Sequence, residues 1–338
     1  MKIFSLFTKI LHHLPSEFSH FVALEGLKLL NSIGMLKFFF KGNSYKHDLV
    51  DRDLRNHSHM VGIAAGLDKN ADYVDSLGAL GVGFVEVGTV TPKPQTGNPK
   101  PRIFRNLKEK SLLNRLGFNN KGVDYLVNNL KHKKTNILIG TSIGKNFDTP
   151  NERASEDYIY CLEKTYEYSD YIAVNISSPN TQDLRNLSKE EFLSSLLKDL
   201  KNNQKKLTLI HGYKPIFIKI SPDESLENLN AICKSIKEIS LDGVICSNTS
   251  IEHNDKNGSG GISGKPLKEK AIKNLIKVRE ILGTDFTIIA SGGVMSPQDY
   301  LDRINDGANF VQIYTGLIFE GPKLIVDILN LSSASRNT

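Results

Sequence analysis

The chain has 338 residues, with 43 Lys and Arg against 37 Asp and Glu, a formal charge of +6 at pH 7. Hydrophobic residues make up 39%, and the 26 glycines bring the apolar share near the globular norm, which excludes a disordered, collagen-like or multi-span membrane chain. At about 150 residues per domain the length allows two domains, although single barrels of about 250 residues are common.

The first 41 residues hold Lys2, Lys9, Lys28, Lys37 and Lys41 against Glu17 and Glu25, so half of the net charge lies in this arm. Ile3, Phe4, Phe7, Ile10, Leu11 and Leu14 recur at helical spacing. Pro15-Ser16-Glu17 reads as a break and a new start, with Ser16 as N-cap. Phe18, Phe21, Val22, Leu24, Leu27, Leu29, Leu30 and Ile33 then cover more than one core-facing stripe, and Phe38-Phe39-Phe40 follows. No apolar run approaches the ~18–20 residues of a spanning helix, and no small-residue cleavage site marks a signal peptide. Residues 1–45 are therefore expected to form a helical hairpin. Two readings stay open: the hairpin packs on the main domain, or it lies in a membrane interface with lysines at the headgroups.

Residues 46–338 repeat one theme, a short β-branched run followed by a polar turn and an amphipathic stretch. The runs are 61–66, 82–88, 137–143, 171–176, 215–220, 243–246, 286–290 and 310–314. Helices are predicted near 70–79, 119–131, 151–168, 189–205, 224–239, 266–282, 297–306 and 321–331. Alternation implies parallel strands, and eight βα units predict an α/β fold of the (β/α)8 TIM-barrel class. An open doubly wound sheet is weakened by the lack of a GxGxxG at the first helix.

Active sites of such barrels lie at the C-terminal strand ends. There the chain reads Gly66-Leu67-Asp68-Lys69, Gly88-Thr89, Gly144-Lys145-Asn146, Asn175 to Asn180, Lys219-Ile220-Ser221, Ser247-Asn248-Thr249, Ser291-Gly292-Gly293 and Tyr314-Thr315-Gly316. Amides, hydroxyls, lysines and glycines suit a polar planar molecule and an anion. No His/Glu metal cluster recurs, and no metal is expected. Gly292-Gly293 and Tyr314-Thr315-Gly316 follow the last two strands, where barrels commonly bind phosphate; the alternative is tight turns. Lys69 and Lys219 end strands, and an unpaired ammonium is costly to bury. They meet a ligand or pair with an acid, for which Asp68 and Asp223 are available. Ser178 in NISSPNT and Asn114 in NRLGFNN are ambiguous alone. Cys161, Cys233 and Cys246 form neither a disulfide framework nor a metal pattern, as expected in a reducing compartment.

AAGLDKN (64–70), EVGTVTPKPQTGNPKPRIFR (86–105), NRLGFNNKGVDYL (114–126), NISSPNT (175–181), KISPD (219–223), SNT (247–249), GGISGKPL (260–267), SGGV (291–294) and VQIYTG (311–316) occur in order. From about residue 15 onward the chain resembles dihydroorotate dehydrogenase, the flavin enzyme of pyrimidine synthesis, and most closely its quinone-dependent (class 2), membrane-associated class. That resemblance implies oxidation of (S)-dihydroorotate to orotate, with hydride passing to FMN and electrons to membrane quinone. It makes Ser178 the catalytic base, where the soluble class has cysteine, with Thr181 relaying the proton. It assigns substrate binding to Lys69, Asn114, Asn175, Asn180, Asn248 and Thr249, with the loop Arg115, Leu116, Gly117 and Phe118. FMN contacts would come from Ala65, Gly66, Leu67, Asp68, Lys69, Thr89, Asn175, Lys219, Ser247, Gly264, Gly293, Tyr314 and Thr315. His20, Arg105 and Tyr314 match positions that line the quinone site.

The chain departs from the family at Ser142, where an asparagine usually contacts FMN; a serine lacks the amide's paired contact. The resemblance implies peripheral contact with an anionic bilayer. An arm too short for a mitochondrial leader plus a spanning helix suggests the cytoplasmic face of a bacterial inner membrane. Three alternatives remain at this level. A soluble-class relative using another acceptor is opposed by Ser178 and the Phe-rich arm. An RNA-acting flavin barrel of the tRNA dihydrouridine synthase type is permitted by the basic pI, but half the charge lies on the apolar arm, and no nucleic-acid partner is expected. A membrane module without catalysis leaves the polar rim unexplained.

Overall fold

The computed structural model describes residues 2–40, 52–181, 184–188 and 190–335. The strands are β1 (Met60–Ile63), β2 (Phe84–Val90), β3 (Ile103–Asn106), β4 (Ser111–Asn114), β5 (Leu138–Ile143), β6 (Tyr171–Asn175), β7 (Ile216–Ile220), β8 (Gly243–Cys246), β9 (Gly261–Gly264), β10 (Thr287–Ser291) and β11 (Phe310–Ile313). Each of the eight expected runs holds one barrel strand. They close in the order β1-β11-β10-β8-β7-β6-β5-β2, every pair parallel, with Met60 beside Phe310 and Gly62 beside Phe84 at the junction.

Side chains alternate across a strand with period two, and this separates two apolar layers. Val61, Ile63, Val85, Val87, Ile172, Val174, Ile216 and Ile218 belong to the large cluster that packs the outer helices. Met60, Phe84, Leu138, Tyr171, Phe217 and Phe310 form a second cluster inside the barrel. The rings of Phe84, Tyr171, Phe217 and Phe310 meet edge-on at 5.5 to 6.1 Å. Two residues further along the same inward rows stand Glu86, Lys219 and Gln312; another two bring Gly88 and Tyr314. The barrel is thus apolar at its N-terminal end and polar toward its C-terminal rim. Gly62 and Gly140 make room for this plug: a Cβ on Gly140 would lie 2.0 Å from Tyr171 Cζ, and one on Gly62 2.4 Å from Phe84 Cε2.

Several expectations need correction. The helix after β1 is only Val74–Gly78, because the Asp68 carboxylate accepts the N–H groups of Asn70, Asp72 and Tyr73 and holds that stretch as a turn. The helix expected to end at 205 runs Glu190–His211; Thr208 caps back to the Gln204 carbonyl and meets Tyr166, so β-branched residues there do not break it. A helix at Thr315–Glu320 directly after β11 was not expected. Nor was the antiparallel sheet β3-β4-β9, which joins Leu113 to Ile262. Its four-residue strands carry no long periodic signal, and β9 is distant in sequence from the hairpin β3-β4 that it joins.

The arm has three helices rather than a hairpin alone: α1 (Lys2–Leu11), α2 (Ser16–Ser32) and α3 (Met35–Phe39). Ser16 is the first helical residue of α2; Pro15 holds the cap position and makes no side-chain cap hydrogen bond. Arg105 Nη1 donates to the Leu11 and His12 carbonyls at 3.2 and 2.9 Å, Tyr73 OH donates to Glu25 at 2.6 Å, and Arg102 meets Glu17 at 3.0 Å. Phe4 and Leu11 turn inward, whereas Leu6, Ile10, Phe18, Phe21 and Phe38 face out. No described helix is long and apolar enough to cross a membrane. Lys41 and the expected boundary between residues 45 and 46 lie outside the described residues.

Gly140→Ala is expected to lower stability by about 1–3 kcal/mol, the usual cost of overpacking. It would be read as a lower urea midpoint at unchanged slope; an unchanged midpoint would show that the plug yields freely.

Candidate active site

A cleft of about 1060 Å³ opens at the C-terminal rim. Ala65, Gly66, Lys69, Thr89, Asn114, Leu116, Gly117, Phe118, Asn175, Ser178, Asn180, Lys219, Ser247, Asn248, Thr249, Gly264, Gly293, Tyr314 and Thr315 all line it. They are far apart in the chain and meet because barrel closure gathers the strand ends. Three of the residues expected to contact FMN or substrate do not line it, nor does Thr181. Leu67 lines a neighbouring cavity. Asp68 is buried, its carboxylate spent on backbone amides. Arg115 turns away, with Nη2 donating to the Asn257 carbonyl at 2.6 Å and its guanidinium 4.8 Å from the Phe104 ring.

At the cleft floor Lys219 Nζ lies 3.3 Å from Glu86 Oε1, both side chains nearly inaccessible. Glu86 also accepts from Tyr171 OH at 3.0 Å and from Gln312 Nε2 at 2.6 Å. The acids anticipated as lysine partners do other work: Asp223 pairs with Arg185 and Lys270. Glu86 was therefore missed. The available signal was one acid two residues beyond Phe84, on the inward row of an otherwise apolar strand.

One wall is a chain of neutral hydrogen bonds. Asn175 Nδ2 donates to Thr89 Oγ1 at 2.8 Å, and Thr89 Oγ1 lies 2.9 Å from Ser142 Oγ. Ser142 thus braces Thr89 from behind. Asn248 Nδ2 donates to Asn175 Oδ1 at 3.2 Å and to Ser177 Oγ at 3.0 Å. Across the cleft, Asn180 Nδ2 donates to Asn114 Oδ1 at 2.9 Å. Between these amides sits Ser178, buried, its Oγ accepting from the Asn180 N–H at 3.3 Å. The Thr181 and Ser247 hydroxyls are buried and have no hydrogen-bond partner among the described residues. Lys69 Nζ donates to Asn119 Oδ1 at 2.5 Å. Burial, and then the Arg102 cation, push the Lys69 pKa down to about 7.

Beneath the arm lies a second, apolar cavity of about 1620 Å³. His20, Arg105 and Tyr314 line it, and Ile103, Leu112 and Tyr314 border both cavities. Burial, helped by the Lys69 charge, lowers the His20 pKa to about 4 against the opposing pull of Glu17. At neutral pH the imidazole is uncharged. Burial pushes the Tyr314 phenol up to about 12. Arg105 Nε is buried without a partner among the described residues. Among the described residues no group of three or more His, Cys, Asp or Glu is placed to hold a metal.

Comparison with known proteins places this geometry. The family model described as Dihydroorotate dehydrogenase matches residues 46–332. The chain is 42% identical over 341 residues to a protein of Neisseria meningitidis serogroup C named dihydroorotate dehydrogenase (quinone), covering 98% of both. A protein of the same name from Coxiella burnetii is 47% identical over 285 residues, covering 82% of each chain. Among solved structures, that of DHODH from Eimeria tenella in complex with ferulenol superposes with a TM-score of 0.79 at 32% identity, covering 95% of this chain and 92% of that one. The ligand-free form superposes at 0.81 with 33% identity, covering 94% of each. Sequence, barrel and the extent of the match agree, and the chain belongs to the dihydroorotate dehydrogenase family.

Proposed function

We propose that FMN and dihydroorotate share the polar cleft, and that quinone enters through the apolar cavity under the arm. The reaction itself follows from the family: the chain oxidises dihydroorotate to orotate in pyrimidine biosynthesis, with quinone as acceptor. The observation that carries the reading is the contact of two unlike cavities across Ile103, Leu112 and Tyr314, one set with amide, hydroxyl and lysine groups and one almost wholly apolar. A dehydrogenase that passes electrons from a polar substrate to a lipid-soluble acceptor needs that juxtaposition.

The cleft fits FMN. Ser247 offers a buried hydroxyl without a protein partner, and Gly292 and Gly293 bring backbone close to the rim at positive φ of 107° and 70°. FMN, when bound, supplies the hydride acceptor and the route for electrons to quinone. The residues proposed to hold it are Ala65, Gly66, Lys69, Thr89, Asn175, Lys219, Ser247, Gly264, Gly293, Tyr314 and Thr315. Lys219 fixes a positive charge at the floor and favours negative charge gathering above it. Glu86 balances that charge while the cleft is empty.

Ser178 Oγ removes the proton from carbon 5 of dihydroorotate. A serine hydroxyl is a weak base at its free pKa and needs a partner; Thr181, whose buried hydroxyl is otherwise unsatisfied, takes the relay. Asn114, Asn180, Asn175, Asn248 and Thr249 hold the ring and carboxylate by neutral hydrogen bonds, and Lys69 meets the carboxylate. Desolvation leaves Lys69 poorly charged until an anion arrives, so binding and charging are linked. Leu116 to Phe118 form the wall of the substrate loop through their backbone and the apolar side chains of Leu116 and Phe118.

The outward apolar residues of α1 and α2, flanked by lysines, are the surface that rests on an anionic bilayer. The protein then sits peripherally on the cytoplasmic face of the bacterial inner membrane. His20, uncharged, and Arg105 line the quinone path that ends at Tyr314.

Four outcomes test these assignments. Anaerobic dihydroorotate should bleach the oxidised-flavin spectrum of the wild type. Ser178→Ala should stay yellow and lose at least about 10²-fold in turnover, the range of general-base catalysis; near-normal turnover would remove Ser178 from the base role. Lys69 titrates near 7 in the free protein rather than at its ordinary 10.5. An orotate carboxylate should raise that value, so binding at pH 8 to 9 takes up close to one proton. Calorimetry in buffers of different ionisation heat would read this, and Lys69→Met should abolish it. Replacing Leu6, Ile10 and Phe21 by serine should cut co-sedimentation with anionic vesicles and quinone turnover together. Bleaching by dihydroorotate should persist in that variant; unchanged vesicle binding would sink the docking surface.

A further inference from the structure

Arg303 heads the largest fully buried side chains, on the helix Pro297–Asn305 behind β10. A guanidinium has five N–H donors and stays charged at neutral pH, so its burial must be compensated. Nη2 donates to the Gly292 carbonyl at 3.1 Å and to the Lys268 carbonyl at 3.3 Å. Nε and Nη1 have no hydrogen-bond partner among the described residues. The neighbouring acid Asp299 is engaged elsewhere, by Lys268 Nζ at 2.5 Å and the Met295 N–H at 2.8 Å. The cation is therefore only half satisfied by protein groups.

Its grip has a geometric consequence. The peptide from Gly292 to Gly293 is trans, and in a planar trans peptide C=O and N–H point in opposite directions. The Gly292 oxygen is turned outward to Arg303, so the Gly293 N–H is turned the other way. Gly292 and Gly293 both line the cleft. The loop lies tight against the Lys268 backbone: a Cβ on Gly293 would come within 2.4 Å of Lys268 Cα. Lys268 is also the residue whose carbonyl takes the second bond from Arg303. One guanidinium thus clamps both walls of the loop from behind.

We propose that Arg303 is a positioning residue for a phosphate monoester: it aims the Gly293 N–H into the cleft and places its guanidinium charge behind it. This rests on the FMN reading above, with the flavin's phosphate as the ligand group. Arg303 touches no ligand itself; it acts through the loop and through its field, which a dry interior screens weakly.

The test compares two flavins that differ only in the phosphate. The full chain is loaded with FMN or with riboflavin and diluted until flavin fluorescence returns. The wild type should hold FMN far more tightly. Arg303→Gln should weaken FMN by about tenfold to a hundredfold, the range for charged hydrogen bonds, and riboflavin by less than about threefold. Equal loss for both flavins, or no loss for FMN, overturns the proposal. Should Arg303→Gln fail to fold, Arg303→Lys decides, since an ammonium keeps the charge but lacks the fork. It should weaken FMN several-fold and leave riboflavin unchanged, and any other pattern overturns the proposal. A wild type that binds neither flavin would instead defeat the FMN reading.

Discussion

Closure of the barrel is the constraint from which the site follows. β1 pairs with β11 on one side and β2 on the other, so strands some 250 residues apart in sequence share a register. Eight C-terminal strand ends then face one rim. Inward rows are set by the two-residue strand period, and each row changes character along its length. Phe84 leads to Glu86, Phe217 to Lys219, and Phe310 to Gln312 and then Tyr314. The rings plug the bottom, and the polar residues arrive at the top together.

The buried pair of Lys219 and Glu86 is the electrostatic centre of that rim. Taking both charges out of water costs several kcal/mol per ion and is repaid only when the remaining hydrogen bonds are satisfied. Tyr171 and Gln312 supply them to Glu86. Lys219, by contrast, keeps donor capacity for a ligand. A pair that is complete on the acid's side and incomplete on the lysine's side suits a site that must accept negative charge from above. Lys69, pressed down by burial, and the Gly292–Gly293 loop, held by Arg303, extend the same arrangement to the two ends of the cleft.

The arm and the small sheet β3-β4-β9 convert this rim into a two-chambered site. Ile103 on β3 and Leu112 on β4 stand between the chambers with Tyr314. Arg105, from the same hairpin, binds the turn between α1 and α2 through its carbonyls. The apolar chamber exists only because helices with apolar residues on both faces lie over the barrel. Their inner residues, such as Phe4 and Leu24, line it or pack beside it, and their outer residues are left for another surface.

The sequence by itself determined the alternation of strands and helices, the barrel class, the amphipathic arm and the polar character of the strand ends. Those are local properties: hydrophobic period, turn residues, and the type of side chain at a strand's end. The family resemblance added which amides and hydroxyls belong to one site. Tertiary structure alone decided the partners. Lys219 pairs with Glu86 rather than Asp223, Asp68 caps a turn, Arg115 turns away from the cleft, and Ser142 braces Thr89. It also decided the sheet β3-β4-β9, whose four-residue strands carry too few repeats to show a period. For Lys219, Arg115, Ser142 and the pairing of β4 with β9 the reason is the same. Which groups meet depends on closure and packing between residues far apart in the chain, and no local pattern of residues encodes the distance between them.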